Sequence, residues 1–127
     1  MQWTSVVALL ACVIGGGLGG YALINPRWAS KLVRLIPKEG RIEGKSEFRA
    51  TYGGLFLGAH AFAFWVVLAA YPGAEFAAAG VGAAWLGSGL GRIVSIALDK
   101  TGSGLNWFNV AFEAVLGLML LSPLFFG

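Results

Sequence analysis

Charged side chains are scarce in this chain of 127 residues, at 12% against the roughly 25% usual in soluble domains. The shortage is uneven. No Asp, Glu, Lys or Arg occurs from Gln2 to Pro26 or from Ala50 to Ala74, and between Phe76 and Val110 there are only Arg92, Asp99 and Lys100. A water-facing helix needs a polar side, and these runs do not supply one. Cysteine is limited to Cys12, which excludes an internal disulfide and cannot alone make a metal site. Histidine is limited to His60. With no second His or Cys to accompany it, neither a zinc nor a haem ligand set is expected, and no cofactor. No nucleophile, base and orienting group form a set, so no catalytic residue is assigned and an enzyme is the less expected class. LLAC, Leu9 to Cys12, resembles a lipoprotein cleavage box, but the basic n-region is missing and the apolar run before it is short.

What the chain has is apolar surface, 57% of residues, and 20 glycines. Apolar runs of about 20 residues cross a hydrocarbon core about 30 Å thick, because a helix rises about 1.5 Å per residue. Four spanning helices are expected, at about 3–24, 47–71, 75–98 and 105–126, in one domain covering 1–127. The expected fold is all-α: a four-helix antiparallel transmembrane bundle with a short interfacial amphipathic helix, about 26–36, between helices 1 and 2. Glycine suits such helices, since small residues let backbones approach closely in lipid. The run Gly15 to Gly20 matches GxGxxG, but a dinucleotide site needs a strand before it and a helix opening after it. Inside an apolar run of spanning length it is a packing face.

Asn25 and Pro26 suit an N-cap and a first helical turn. Trp28, Leu32, Leu35 and Ile36 then recur at helical spacing, with Arg27, Lys31, Arg34 and Lys38 on the other side. A basic amphipathic helix stopped before Pro37 lies in the membrane surface, with Arg27, Trp28, Lys31 and Arg34 at the anionic headgroups. A packed connecting helix is the alternative. Ser46 is the expected N-cap of the second spanning helix. Tyr71-Pro72-Gly73-Ala74 and Asp99 to Gly104 are turns that make helices 2, 3 and 4 antiparallel neighbours. All nine Lys and Arg residues then fall on one side, which the positive-inside rule makes cytoplasmic. The expectation is a multi-pass protein with both termini facing outward, periplasmic if the membrane is a bacterial inner membrane. Trp3 and Tyr71 mark the outer interface, and Trp28, Tyr52 and Trp107 the inner one. Because the cations are juxtamembrane, the net charge of +3 points to lipid headgroups and not to nucleic acid.

Three helices carry polar stripes: Arg49, Gly53, Phe56 and His60; Ser88, Arg92, Ser95 and Asp99; Asn106, Asn109 and Glu113. Ions facing lipid cost several kcal/mol each, so the stripes should face one another. Counted from the cytoplasmic end, Arg92 lies roughly 9 Å deep, Glu113 roughly 10–12 Å and His60 roughly 16 Å. Arg92 and Glu113 are therefore expected to pair. The candidate ligand site or buried polar cluster is Arg49, Tyr52, His60, Arg92, Ser95, Asp99, Asn106, Asn109 and Glu113. In it, Arg92 and Arg49 hold an anionic or carbonyl group, Glu113 and Asp99 set the arginine geometry, and Ser95, Asn106 and Asn109 supply hydrogen bonds. The same Arg–Glu pair also suits a purely structural role in helix register, and His60 suits a hydrogen-bonded core position.

The leading functional expectation is a polar pocket open to the cytoplasmic leaflet, binding a small ligand or lipid headgroup. The alternatives are a proton-coupled transporter subunit, with Glu113 as carrier and His60 as relay, and an assembly subunit whose glycine faces bind a second copy or another membrane protein.

The segments Ser46 to Gly58 (SEFRATYGGLFLG), Gly91 to Asp99 (GRIVSIALD) and Glu113 to Gly117 (EAVLG), with the Asn25-Pro26 start, resemble the domain-of-unknown-function family numbered 4345. The resemblance covers nearly the whole chain in the same order. It picks out Glu47, Arg49, Tyr52, Gly53, Gly54, Gly58, Arg92, Ser95, Asp99 and Glu113, and leaves His60 outside the pattern. It implies a four-helix bacterial membrane protein and no particular activity.

Overall fold

The computed structural model describes all 127 residues, Met1–Gly127. It holds five helices and no strand. They are α1 (Trp3–Ile24), α2 (Pro26–Val33), α3 (Glu43–Leu68), α4 (Ala74–Asp99) and α5 (Gly104–Phe126). All but α2 are long and apolar enough to cross a membrane. Within α3, residues Phe48–Leu55 form a π-helical stretch that joins two α-helical parts.

The four long helices close a ring. Helix α1 packs on α3 and α5, and α4 packs on the same two. The interior between them mixes small side chains, Ala8, Ala11, Cys12, Ala63 and Ala78, with the larger Leu9, Val67, Trp85, Leu116 and Leu120. Many large apolar side chains point outward instead, including Leu10, Phe62, Trp65, Leu90, Val94 and Leu118. In water this distribution would leave most of the hydrophobic gain unrealised. In lipid it is the economical one, because tails solvate the outer side chains and small residues tighten the helix contacts. Two crossings are close enough to require glycine, α4 on α5 and α1 on α3. A Cβ at Gly82 would lie 2.8 Å from the Gly117 carbonyl oxygen, and one at Gly117 would lie 3.0 Å from that of Gly82. Between α1 and α3, a Cβ at Gly53 would lie 2.7 Å from the Leu23 Cα.

The helix ends follow local chemistry. Asn25 Oδ1 accepts the Trp28 backbone N–H at 3.0 Å, and Pro26 occupies the first turn of α2. Ser103 Oγ accepts the Asn106 N–H at 3.2 Å at the start of α5. Three boundaries differ from those expected. Helix α2 stops at Val33 instead of continuing to about Ile36, because Arg34 turns into the left-handed region at φ 60°. Helix α3 begins at Glu43, so Ser46 lies inside it and caps nothing, and it ends at Leu68 where Ala70 takes φ 52°.

Candidate functional site

The polar centre is built on facing turns of α4 and α5. Arg92 Nε donates to Glu113 Oε1 at 2.8 Å, and Ser88 Oγ, one turn earlier on α4, donates to the same oxygen at 2.9 Å. Gly89 lies between these two α4 positions. A Cβ there would meet the Glu113 Cβ at 3.6 Å, so α5 can bring its carboxylate close to α4. This is the one ion pair in the structure, and it is lopsided: the Glu113 side chain is 5% exposed and that of Arg92 33%. Glu113 Oε2 is buried without any hydrogen-bond partner. Arg92 uses only Nε within the protein, leaving its terminal nitrogens free of protein acceptors.

Beside the pair is a cavity of about 300 Å³, at the lower end of ligand-site volumes. Leu18, Trp28, Tyr52, Phe56, Trp85 and Phe112 form its apolar walls, and Ser88, Arg92, Asn109 and Glu113 its polar end. Helix α2 contributes Trp28, Ala29, Leu32 and Val33 to the lining, so it roofs the cavity. A second, more open basin of about 930 Å³ adjoins the first, sharing Val33, Ser88 and Arg92 with it. Its remaining lining is polar and basic, including Arg34, Ser95, Lys100, Thr101, Ser103 and Asn106, and no carboxylate contributes.

The sequence-predicted residues divide among these places. Arg92, Glu113, Asn109 and Tyr52 line the cavity, and Tyr52 also stacks on Phe48 with ring centroids 5.6 Å apart. Asn109 makes no side-chain hydrogen bond within the protein, whereas Asn106 makes two. Its Oδ1 accepts from Arg34 Nη2 at 2.6 Å and its Nδ2 donates to the Thr101 carbonyl at 2.6 Å. Ser95 Oγ pairs with Thr101 Oγ1 at 3.1 Å. Arg49 lies apart from the pair: Nη1 donates to the carbonyls of Leu23 and Ile24, closing the end of α1 in the manner of a cationic C-terminal cap. Asp99 is the exposed last residue of α4 and makes no ion pair, so it does not orient Arg92. Arg27, Lys31 and Arg34 are exposed, while Trp28 turns inward and meets Tyr21 edge-on at 4.7 Å.

His60 sits one level deeper, 2% exposed. The Trp85 indole N–H donates to its Nε2 at 2.9 Å, and its Nδ1 lies 2.7 Å from the Phe56 carbonyl. An indole can only donate, so Nε2 accepts and the proton is assigned to Nδ1, which donates to Phe56. Both ring nitrogens are occupied, and Gly15 presses against the ring where a Cβ would collide with it. Trp85 is the residue that the stripe argument missed: it bridges His60 to the cavity and lies seven residues, two turns, before Arg92 on the same face of α4. That spacing was the available signal, hidden because tryptophan does not read as polar.

No curated protein and no solved structure matches this chain. A family model does match, over residues 1–124. The protein belongs to that family, described as Domain of unknown function (DUF4345).

Proposed function

We propose that this is a small integral protein of the bacterial inner membrane, an antiparallel four-helix bundle whose pocket opens toward the cytoplasmic leaflet and binds a small ligand or lipid headgroup. One observation carries this reading: a buried carboxylate, Glu113, with one oxygen unpartnered, on the wall of a cavity large enough for a ligand. A buried polar atom left without a partner costs about 1–3 kcal/mol. A ligand that draws the Glu113 carboxylate toward the cavity, donates to it and accepts from the free nitrogens of Arg92 offsets that cost and is oriented by it. Proton relay through His60 is less well supported, since both of its ring nitrogens already hold partners.

In this arrangement α2 is an amphipathic helix at the membrane surface, with Arg27 and Lys31 toward anionic headgroups and Trp28 and Ala29 toward the bundle. Glycines on the outer side of α4, Gly80, Gly87 and Gly91, have nothing within 4 Å of a built Cβ. That open strip supports a second reading, in which the same protein also packs against a second copy or another membrane protein.

Two measurements test these readings. Native mass spectrometry from gentle detergent should show a co-purifying mass on the wild type. Asn109→Leu should weaken its retention by up to about tenfold, since one hydrogen bond contributes about 0.5–1.5 kcal/mol. Asn109 holds no protein partner, so the fold should persist, and a wild type that carries and takes up no small molecule would overturn the pocket. For topology, Glu39→Cys and Pro72→Cys in a Cys12→Ala background should react with an impermeant maleimide from opposite faces. Periplasmic labelling of Glu39→Cys would reverse the orientation.

A further inference from the structure

Resting on the pocket reading above, we infer that the ligand is a single-chain phosphoglyceride, a lipid with one acyl chain, a free glycerol hydroxyl and a phosphate. The two adjoining chambers differ in chemistry in the way that molecule does along its length. The inner cavity is walled by aromatic and aliphatic side chains, 11 hydrophobic of 15, and at about 300 Å³ it holds one chain segment and not two. The outer basin has 2 hydrophobic residues of 12 and is lined by three cations, Arg34, Arg92 and Lys100, with no carboxylate among them. The present partners of Arg34 and Lys100 are neutral oxygens, the Asn106 amide and the Ala97 carbonyl. Their charge is therefore uncompensated, and a phosphate would answer it with charge-assisted hydrogen bonds.

The junction between the chambers carries the third part of the match. Ser88 and Arg92 line both chambers, and both bond Glu113 Oε1, whose companion Oε2 is buried and unpartnered. Oε2 is sealed from both chambers, so a ligand meets this carboxylate only when the Glu113 side chain turns toward the cavity it lines. The oxygen then presented accepts, and the group opposite it must donate. A phosphate diester cannot, whereas a free glycerol hydroxyl placed between chain and phosphate can. A diacyl lipid has neither the free hydroxyl nor a second chain that the cavity admits. Free glycerol phosphate has the head but leaves the aromatic cavity unfilled.

The test uses the full chain in phosphatidylcholine nanodiscs. Lysophosphatidic acid brominated on its chain should quench the tryptophan fluorescence saturably, through Trp28 and Trp85, and the unbrominated lipid should reverse the quenching. Monoacylglycerol of the same chain should compete at least tenfold more weakly, for want of the phosphate. The 2-deoxy analogue should compete about tenfold more weakly, for want of the donor to Glu113, and glycerol 3-phosphate should not compete. The surface variant Lys100→Gln should reduce the advantage of the phosphate over monoacylglycerol while leaving monoacylglycerol unchanged, since Lys100 lines only the outer basin and bonds nothing on α2. Equal competition by monoacylglycerol and lysophosphatidic acid would overturn the phosphoglyceride assignment and keep the pocket. Competition by glycerol 3-phosphate alone would assign a soluble phosphate ligand instead. No saturable quenching by any of them, together with ligand-free wild type in native mass spectrometry, would overturn both.

Discussion

Arg92→Met is expected to lower stability by about 3–5 kcal/mol, the cost of stranding a buried charge. The charge left behind is Glu113, 5% exposed, which keeps only the Ser88 hydroxyl as a donor. The converse change, Glu113→Leu, should cost distinctly less. Arg92 is 33% exposed, and its long side chain can turn its guanidinium toward the open basin and the surface. The double variant should recover much of the Arg92→Met loss, because it leaves no buried ion. Thermal or denaturant unfolding in one detergent measures all three. Two equal and additive losses would mean that the residues do not act on each other. Recovery of stability does not decide between a lock and a ligand site, so the double variant must also be tested for ligand retention. A stable protein that keeps its ligand would assign the pair to helix register alone.

Gly82→Leu and Gly117→Leu are expected to be strongly damaging. At that crossing the obstruction is backbone, since a Cβ at each position would lie 2.8 or 3.0 Å from the other's carbonyl oxygen. Backbone does not rotate out of the way, so the whole of α4 must move off α5. Overpacking in a close-packed interior costs about 1–3 kcal/mol and sometimes more. Here the displacement should also spread along the helix to the 2.8 Å Arg92–Glu113 bond, two to three turns away. Gly80→Leu and Gly87→Leu are the controls, for nothing lies within 4 Å of a Cβ at either. They should stay within about 0.5 kcal/mol, the usual range for outward positions. Comparable losses at all four positions would show that helix propensity, and not the crossing, sets the penalty. A loss at Gly80 or Gly87 seen only as a smaller oligomer would instead locate a partner face on α4.

The pairing of Arg92 with Glu113 was legible because α4 and α5 are α-helical throughout, so counting residues gives both depth and face. Arg49 escaped the same counting. It stands eleven residues before His60, three α-turns, but Phe48–Leu55 is wound as a π-helix with i→i+5 bonds. The phase between the two residues is altered, and Arg49 swings to the end of α1. Asp99 failed for a different reason: the stripe runs off the end of α4, where Lys100 turns left-handed at φ 59°. The roof over the cavity was not legible at all. Its position depends on Arg34 at φ 60°, a conformation that few non-glycine residues adopt, and on a hydrogen bond from Arg34 to Asn106, 72 residues away. The apolar walls were readable as helix faces, but not as a cavity, since periodicity says which residues turn inward and not how much space they leave.

The short link between α4 and α5 has a consequence for how such a protein is made. For a chain that crosses the bilayer four times, a lone Arg or Asp near the middle of a helix costs about 2.5–3.5 kcal/mol during insertion. Helix α4 leaves the ribosome first, with Arg92 unmatched, and its partner Glu113 follows 21 residues later. Only Lys100 to Ser103 separate the two helices, so the pair can close before either helix is released sideways into lipid. In such a chain the two helices would enter as one hairpin with its charges already neutralised. Biogenesis would thereby tie the length of that link to the charge pair it joins: lengthening the link would expose each helix to lipid with its ion still bare.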